Sequence, residues 1–373
     1  MKSPMRRRWK RIRYRFEWAG LQLAAKMVPL LPRRACLVLA RALGSLMSIF
    51  DSHGRAVALA NLEVAFGEQL SILDRRRIAR ESFQHFARAM LDFLWSPRLT
   101  RENFSRYIEL ENFEETLRAG GAERSILIAC YHYSNFEWLS LACGHLGLPG
   151  TIIMEPFKNS LLDPIFKQLR EQSGHELIPR ERGIIRLYKV LRRKGRTALL
   201  VDLTVPPTQG AVAIDCFGLK TCVTSAHAWL HEQTGVAVIP AHCEPLPNGR
   251  YRLVFHPTIA VASAVLSGNT ANSPDALRTA HTTAPGSSGA HGMTHQQFAQ
   301  ACWNSFEPHL RKNPAPWLWM YKHWRYRPSD AQRPYPFYAN VEPRFDKLIA
   351  GRARPPGAPL RSDGRPGGPS LPC

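Results

Sequence analysis

The chain has 373 residues, 45% of them hydrophobic, and a formal net charge of +21 from 50 Lys and Arg against 29 Asp and Glu. That length supports one large or two modest domains with a substantial core and excludes a small disulfide-stapled scaffold. The excess of positive charge implies polyanionic company: nucleic acid, anionic lipid headgroups or an acidic protein.

Residues 1–15 carry eight Lys or Arg and no acid, and two apolar stretches follow, Phe16 to Pro32 and Cys36 to Phe50. A spanning helix needs about 20 mostly apolar residues. Glu17, Lys26, Arg33, Arg34 and Arg41 break every such run, and Pro29 and Pro32 punctuate it. A signal peptide would need a cleaner apolar centre and a small-residue cleavage site. Two amphipathic helices lying in a membrane interface, with the Arg cluster on anionic headgroups, fit better than a pair of soluble helices covering a core. Val57 to Leu94 reads as helical in two parts, with a break at Gly67 and Ser71 capping the second.

From about 125 the pattern becomes strands alternating with helices. Strands are expected at 125–131, 151–154, 197–202, 212–217, 236–242 and 251–257, and helices at 134–147, 159–174, 183–194 and 222–234. This alternation predicts an α/β fold, whose chemistry sits at strand ends. Residues 262–295 are rich in Ala, Ser, Thr, Gly, Asn and Pro and read as a mobile insertion, its His281, His291 and His295 being solvated. A helix from Thr294 to Arg311 follows. The aromatic and cationic block Pro314 to Pro328 then reads as a lock on the core in preference to a base-stacking surface. The last residues, 350–373, are Pro- and Gly-rich and predicted disordered.

The most informative segment is His132-Tyr133-Ser134-Asn135-Phe136-Glu137, where a buried strand ends and a helix begins. An imidazole oriented by a carboxylate can take a proton from a hydroxyl and make it a nucleophile. One helix would not bring the pair together, because five positions place them about 140° apart. A strand-end histidine and a first-turn glutamate meet across the turn. Ser134 and Glu137 also form an S-x-x-E capping box, which accounts for the glutamate without catalysis.

Other chemistries find little support. There is no G-x-S-x-G elbow, no G-x-G-x-x-G and no Walker A sequence, so no nucleotide cofactor is indicated. The eight cysteines lack C-x-x-C spacing, so no zinc motif is read and reduced, buried thiols are expected. Asp202 ends an apolar strand as either a loop cap or an active-site acid. Arg180 to Lys194 contains a basic amphipathic helix, a solvated face or a surface for phosphate or an acidic carrier protein.

Together these residues resemble the bacterial lipid A biosynthesis lauroyl/myristoyl acyltransferases. His132 and Glu137 fit the family's His-x4-acid signature. Asn61 to Gly67 and Ser82-Phe83 are similar to its N-terminal segment and following helix. Lys158-Asn159, Arg170 with Gly174, Asp202, Phe217-Gly218 and Pro316-Trp317-Leu318-Trp319 with Trp324-Arg325 match further family positions, in order. The resemblance covers about residues 15–330 apart from the insertion. The chain departs from the family with Leu203 in place of Gln, Cys216 in place of the first Phe of Phe-Phe-Gly, and Ser134-Asn135-Phe136-Glu137 in place of Gly-Asn-Trp-Glu. These changes leave the catalytic pair intact and leave acyl-chain length and acceptor lipid open.

The resemblance implies a mixed central sheet flanked by helices, glycerol-phosphate-acyltransferase-like, with N-terminal membrane-associated helices. Residues 1–50 would form the arm and membrane helices, 51–330 the α/β domain with the 262–295 insertion, and 331–373 an extended tail. It implies transfer of an acyl chain from acyl carrier protein to a hydroxyl of a lipid A precursor at the cytoplasmic face of the inner membrane. His132 would be the general base, with Glu137 orienting it. Arg170, Lys158, Asn159 and Asp202 would bind substrate, with no metal, cofactor or nucleic acid involved. The same transfer to a phosphatidylinositol mannoside or amino-acid lipid is the nearest alternative, and a basic nucleic-acid-binding protein the alternative of another class.

Overall fold

A computed structural model describes residues 4–121, 125–208, 210–259 and 293–350. It opens with four helices, α1 (Pro4–Met27), α2 (Arg33–Phe50), α3 (Ser52–Phe66) and α4 (Ile72–Trp95). The prolines expected to punctuate the first pair do so: Pro29 lies in the 3-10 turn Val28–Leu30, and Pro32 precedes α2. Asp51 caps α3 by accepting from the Gly54 N–H, and Ser71 caps α4 by accepting from Asp74. The buried stripe of α2 is small: Cys36, Ala40, Gly44 and Ser48, one turn apart. A Cβ on Gly44 would stand 2.3 Å from the Gln84 Cα, so glycine alone permits this approach to α4. The other side of α2 leaves Val38, Leu43, Leu46, Ile49 and Phe50 exposed, as α1 does Trp9, Phe16 and Trp18. Among the described residues no single helix is long and apolar enough to cross a membrane. The pair Arg33–Phe50 and Ser52–Gln69, bent by 93°, passes on length and composition only.

The α/β expectation holds. The chain continues through β1 (Ile108–Glu111), α5 (Phe113–Ala119), β2 (Ile126–Cys130), α6 (Phe136–His145), β3 (Thr151–Met154), α7 (Asp163–Glu171), β4 (Glu176–Pro179), α8 (Gly183–Arg192) and β5 (Thr197–Leu200). A hairpin follows, β6 (Ala211–Cys216) and β7 (Leu219–Thr224), then α9 (Ala226–Thr234), β8 (Ala237–Pro245), β9 (Tyr251–Phe255) and α10 (His295–Lys312). The main sheet has the order β1-β9-β8-β2-β5-β3-β4, and every pairing is parallel except β8 with β9. β2 is central, and alternation decides which side chains face which layer. Its Leu127 and Ala129 join the core under α3, α8, α9 and α10, whereas Ile126, Ile128 and Cys130 join that under α4, α6 and α7.

Several expectations differ in detail. β1, β4 and β7 were not anticipated; β1 and β4 are four-residue edge strands, two of the four β1 residues being Glu. Cys222 to Thr224, expected in a helix, belong to β7, and the hairpin turns at Phe217 and Gly218, both at positive φ as a type I′ turn requires. The expected tail from 331 instead carries β11 (Asn340–Val341), which pairs with the short β10 (Tyr326–Arg327) just before it, and α11 (Pro343–Ile349). Phe345 of α11 is fully buried against Ala211, Ala213 and Cys222. The 262–292 part of the insertion and the tail from 351 lie outside the described residues. His295 opens α10, capped by Thr294 in a capping box with Gln297, and pairs with Glu232 at 3.0 Å. Seven cysteines are buried free thiols.

Candidate active site

β2 and β5 run parallel side by side, so their carboxyl ends deliver His132 and Asp202 to one place. That is where open α/β sheets place their sites. The His132 Nδ1 lies 2.8 Å from Asp202 Oδ1, and the His132 backbone N–H donates to Oδ2 at 3.0 Å. The same Oδ2 accepts from Trp317 Nε1 at 3.0 Å. Asp202 is fully buried. Burial pushes its carboxyl up, but the His132 imidazole, the Trp317 N–H and nearby His323 outweigh that and hold it below its ordinary value. An ionised carboxylate accepts and never donates, so Nδ1 carries the proton. Nε2 is then the lone-pair nitrogen, and no described residue hydrogen-bonds to it. The ring rests edge-on against Phe136 and is partly open to solvent.

The turn that presents His132 is held on both flanks. Tyr131 donates to the Cys302 carbonyl at 2.5 Å and stacks on Phe306, while Tyr133 donates to the Asn313 carbonyl at 2.7 Å, both anchors belonging to α10 or its cap. The Ser134 N–H donates to Pro316 O at 2.9 Å, tying the turn to the tryptophan block. That block is a lock on the core, as expected: Trp317, Trp319 and Trp324 are buried, which leaves none of these three indoles to stack a base. Asn61 donates to the carbonyls of Trp319 and Tyr321, each at 2.7 Å, and Ser82 to that of Trp317 at 2.5 Å. Ser82 therefore holds the backbone of the residue whose indole donates to Asp202, and Asn61 the residues that follow it. His323 stacks on Trp317 at 3.7 Å, and burial lowers its pKa to about 4. Trp317 and His323 were not expected in the site. The only sequence signal was the ordered run of aromatic residues itself.

Glu137 stands elsewhere. The expected cap at Ser134 is one residue off: Ser134 takes φ 53°, and Asn135 caps α6 by accepting from Trp138 N–H at 3.0 Å. Glu137 is then the second helical residue and points to α7. There Arg170 Nε donates to Oε2 at 3.0 Å and Nη2 to Oε1 at 2.5 Å. The carboxylate bonded to the imidazole is thus Asp202 and not the expected Glu137, and no hydrogen bond joins His132 to Glu137 among the described residues. The expected phosphate-binding Arg170 is spent on Glu137. Asn159 is also spent, donating to the Tyr14 carbonyl at 3.0 Å and Glu17 Oε2 at 2.9 Å, so it fastens α1 to the domain. Lys158 beside it is exposed.

One more buried carboxylate underpins the site. Asp92 of α4 receives Arg33 through two N–H groups, the Tyr251 hydroxyl, and Asn135 Nδ2 at 3.2 Å, while its carbonyl accepts from Trp138 Nε1 at 2.9 Å. Burial opposes the charge on Arg33, but the Asp92 partnership more than offsets it and raises its pKa. The cap of α6 is therefore joined to the start of α2 through this network.

Residues 4–326 match the model of the bacterial lipid A biosynthesis acyltransferase family. A phosphatidylinositol mannoside acyltransferase of Mycolicibacterium smegmatis is 25% identical over 172 residues, 44% of this chain. The matched region spans 55% of that relative's length. On the extent of the family match, the chain belongs to the bacterial lipid A biosynthesis acyltransferase family.

Proposed function

We propose that the protein transfers a fatty acyl group from a thioester to a hydroxyl of a glycolipid, with His132 as general base and Asp202 as the group that orients it. The observation that carries this reading is the Nδ1–Asp202 bond, which leaves Nε2 of a strand-end imidazole as the proton acceptor. The acceptor hydroxyl attacks the thioester carbonyl carbon as Nε2 takes its proton. The tetrahedral oxyanion then collapses, the C–S bond breaks, and the imidazolium returns the proton to the thiolate. Asp202 stabilises the imidazolium without itself becoming protonated, as in serine hydrolase triads, but here no side chain of the enzyme is acylated. Backbone N–H groups at the start of α6 are the candidate donors to the oxyanion.

The donor in this reading is acyl carrier protein, an acidic partner for the exposed Arg186, Lys189 and Arg192 of α8, whose Leu187 and Leu191 are buried. The acceptor is a lipid A precursor, in keeping with the family. A phosphatidylinositol mannoside-like glycolipid is the alternative that the mycobacterial relative favours. The polybasic start of the chain and the exposed apolar sides of α1 and α2 would hold the enzyme on an anionic bilayer at the cytoplasmic face of the inner membrane. Transfer from acyl carrier protein to each acceptor class, followed by mass spectrometry, tests this. His132→Ala should lower the rate by about 10²- to 10⁴-fold, the usual worth of a general base, without unfolding the protein. Wild-type rates in that variant would overturn the reading.

A further inference from the structure

Behind the catalytic turn, on the α10 face of the sheet, three imidazoles and a carboxylate gather that the proposed reaction does not use. His242 and Glu244 are two residues apart on β8 and so share a face. His309 arrives from the last turn of α10, and His256 follows β9. His242 Nε2 lies 3.3 Å from Glu244 Oε1, and His309 Nδ1 lies 3.4 Å from the same oxygen. All three ligand atoms fall within 4.8 Å of one another. Ligands bound tetrahedrally at about 2.0–2.1 Å stand about 3.3–3.4 Å apart. Charge-assisted hydrogen bonds favour about 2.7–2.9 Å. The two separations from Glu244 therefore suit atoms that share an ion, and the two imidazole nitrogens, within 4.8 Å of each other, would draw together around it.

The surroundings suit the same arrangement. His242 Nδ1 lies 3.0 Å from His256 Nε2. Coordination through His242 Nε2 puts the ring proton on Nδ1, which then donates to His256, the outer hydrogen bond that ligating imidazoles usually make. The other Glu244 oxygen lies 4.0 Å from Arg252 Nη1. The His242 ring also meets Tyr133 and Phe306, so an ion there would tie β8 to α10 directly behind the turn bearing His132. The sequence called for no metal because H-x-E with a third ligand 65 residues on, from Glu244 to His309, has no motif spacing.

We propose that His242, Glu244 and His309 form a site for a zinc-class divalent ion that clamps β8 to α10, with His256 fixing the His242 ring. Two imidazoles and one carboxylate favour a borderline transition ion over magnesium or calcium. The clamp is structural and takes no step in acyl transfer, so it stands or falls apart from that reading.

The test uses the full, tag-free chain, stripped with chelator and titrated with Zn²⁺. Elemental analysis after dialysis should find about one zinc per chain, and zinc should raise the thermal midpoint by several degrees. Co²⁺ should give the visible absorption of a tetrahedral site. His309→Ala and Glu244→Gln, both at partly exposed positions, should each cut zinc retention at least tenfold and abolish the midpoint shift and the cobalt spectrum. Zinc well below one equivalent in the wild type, or retention unchanged in either variant, would overturn the proposal. If a variant fails to fold, the wild-type stoichiometry and cobalt spectrum decide alone.

Discussion

Asp202 and Glu137 are both buried carboxylates beside the same turn, yet they sit in opposite electrostatic company. Asp202 meets an imidazole, an indole N–H and a backbone N–H, with no guanidinium or ammonium against it in these bonds. Glu137 meets a guanidinium through two hydrogen bonds, so its charge is already cancelled. The difference teaches that separation along the chain is a poor guide to partnership. Five residues part His132 from Glu137 and seventy part it from Asp202, but adjacent parallel strands override that distance.

The largest effect expected outside catalysis comes from breaking the Glu137–Arg170 pair. Removing one member leaves an uncompensated charge, worth about 3–5 kcal/mol when fully buried. With the Arg170 side chain 23% exposed, Glu137→Gln should cost about 2–3 kcal/mol in denaturant unfolding. The double variant Glu137→Gln, Arg170→Met should recover part of that loss. If the single variant unfolds like the wild type, the pair is not a structural anchor and the contrast with Asp202 weakens.

Acid comes next. The fold lowers the pKa of His323 from 6.5 to about 4, chiefly by burying it, so the unfolded chain takes up the proton first. Its contribution is complete above pH 6.5 and is lost as pH falls toward 4. Asp202, held below its ordinary 3.8, adds a further loss at still lower pH. His323→Phe keeps a ring against Trp317 but removes the titrating group. Its thermal midpoint should fall less steeply between pH 6.5 and 4 than that of the wild type. An equal slope would mean that His323 is not held neutral behind Asp202.

The smallest effect concerns Ser134, whose φ of 53° is one that glycine adopts freely. A side chain in that region costs about 1–2 kcal/mol. Ser134→Gly should therefore stabilise the protein by about 1 kcal/mol after the extra entropy of the unfolded glycine, read as a midpoint shift. Destabilisation instead would show that the buried Ser134 hydroxyl contributes more than the backbone strain.

Much of this architecture was legible. The apolar runs of β2 and β5, the Gly67 break, the cap at Ser71 and the helix starting at Thr294 follow from apolar period and cap chemistry. His132 stood out because it ends a strand. The edge strands β1 and β4 were hidden because they are short and, in β1, half acidic. The Asp202 partnership was hidden because β5 inserts between β2 and β3, an order no local pattern encodes. The capping box misled by one residue because Ser134 turned into the left-handed region and passed the cap to Asn135. The metal-ligand set was hidden by the long connection between β8 and α10.

The most direct test of the dyad is the single-turnover acyl-transfer rate of Asp202→Asn beside that of Glu137→Gln, each corrected for folded fraction. With Asp202 orienting the imidazole, Asp202→Asn should fall by about 10²- to 10⁴-fold through the wrong tautomer, and Glu137→Gln should stay within about tenfold of the wild type. Glu137→Gln as inactive as His132→Ala, with Asp202→Asn near the wild-type rate, would contradict the account.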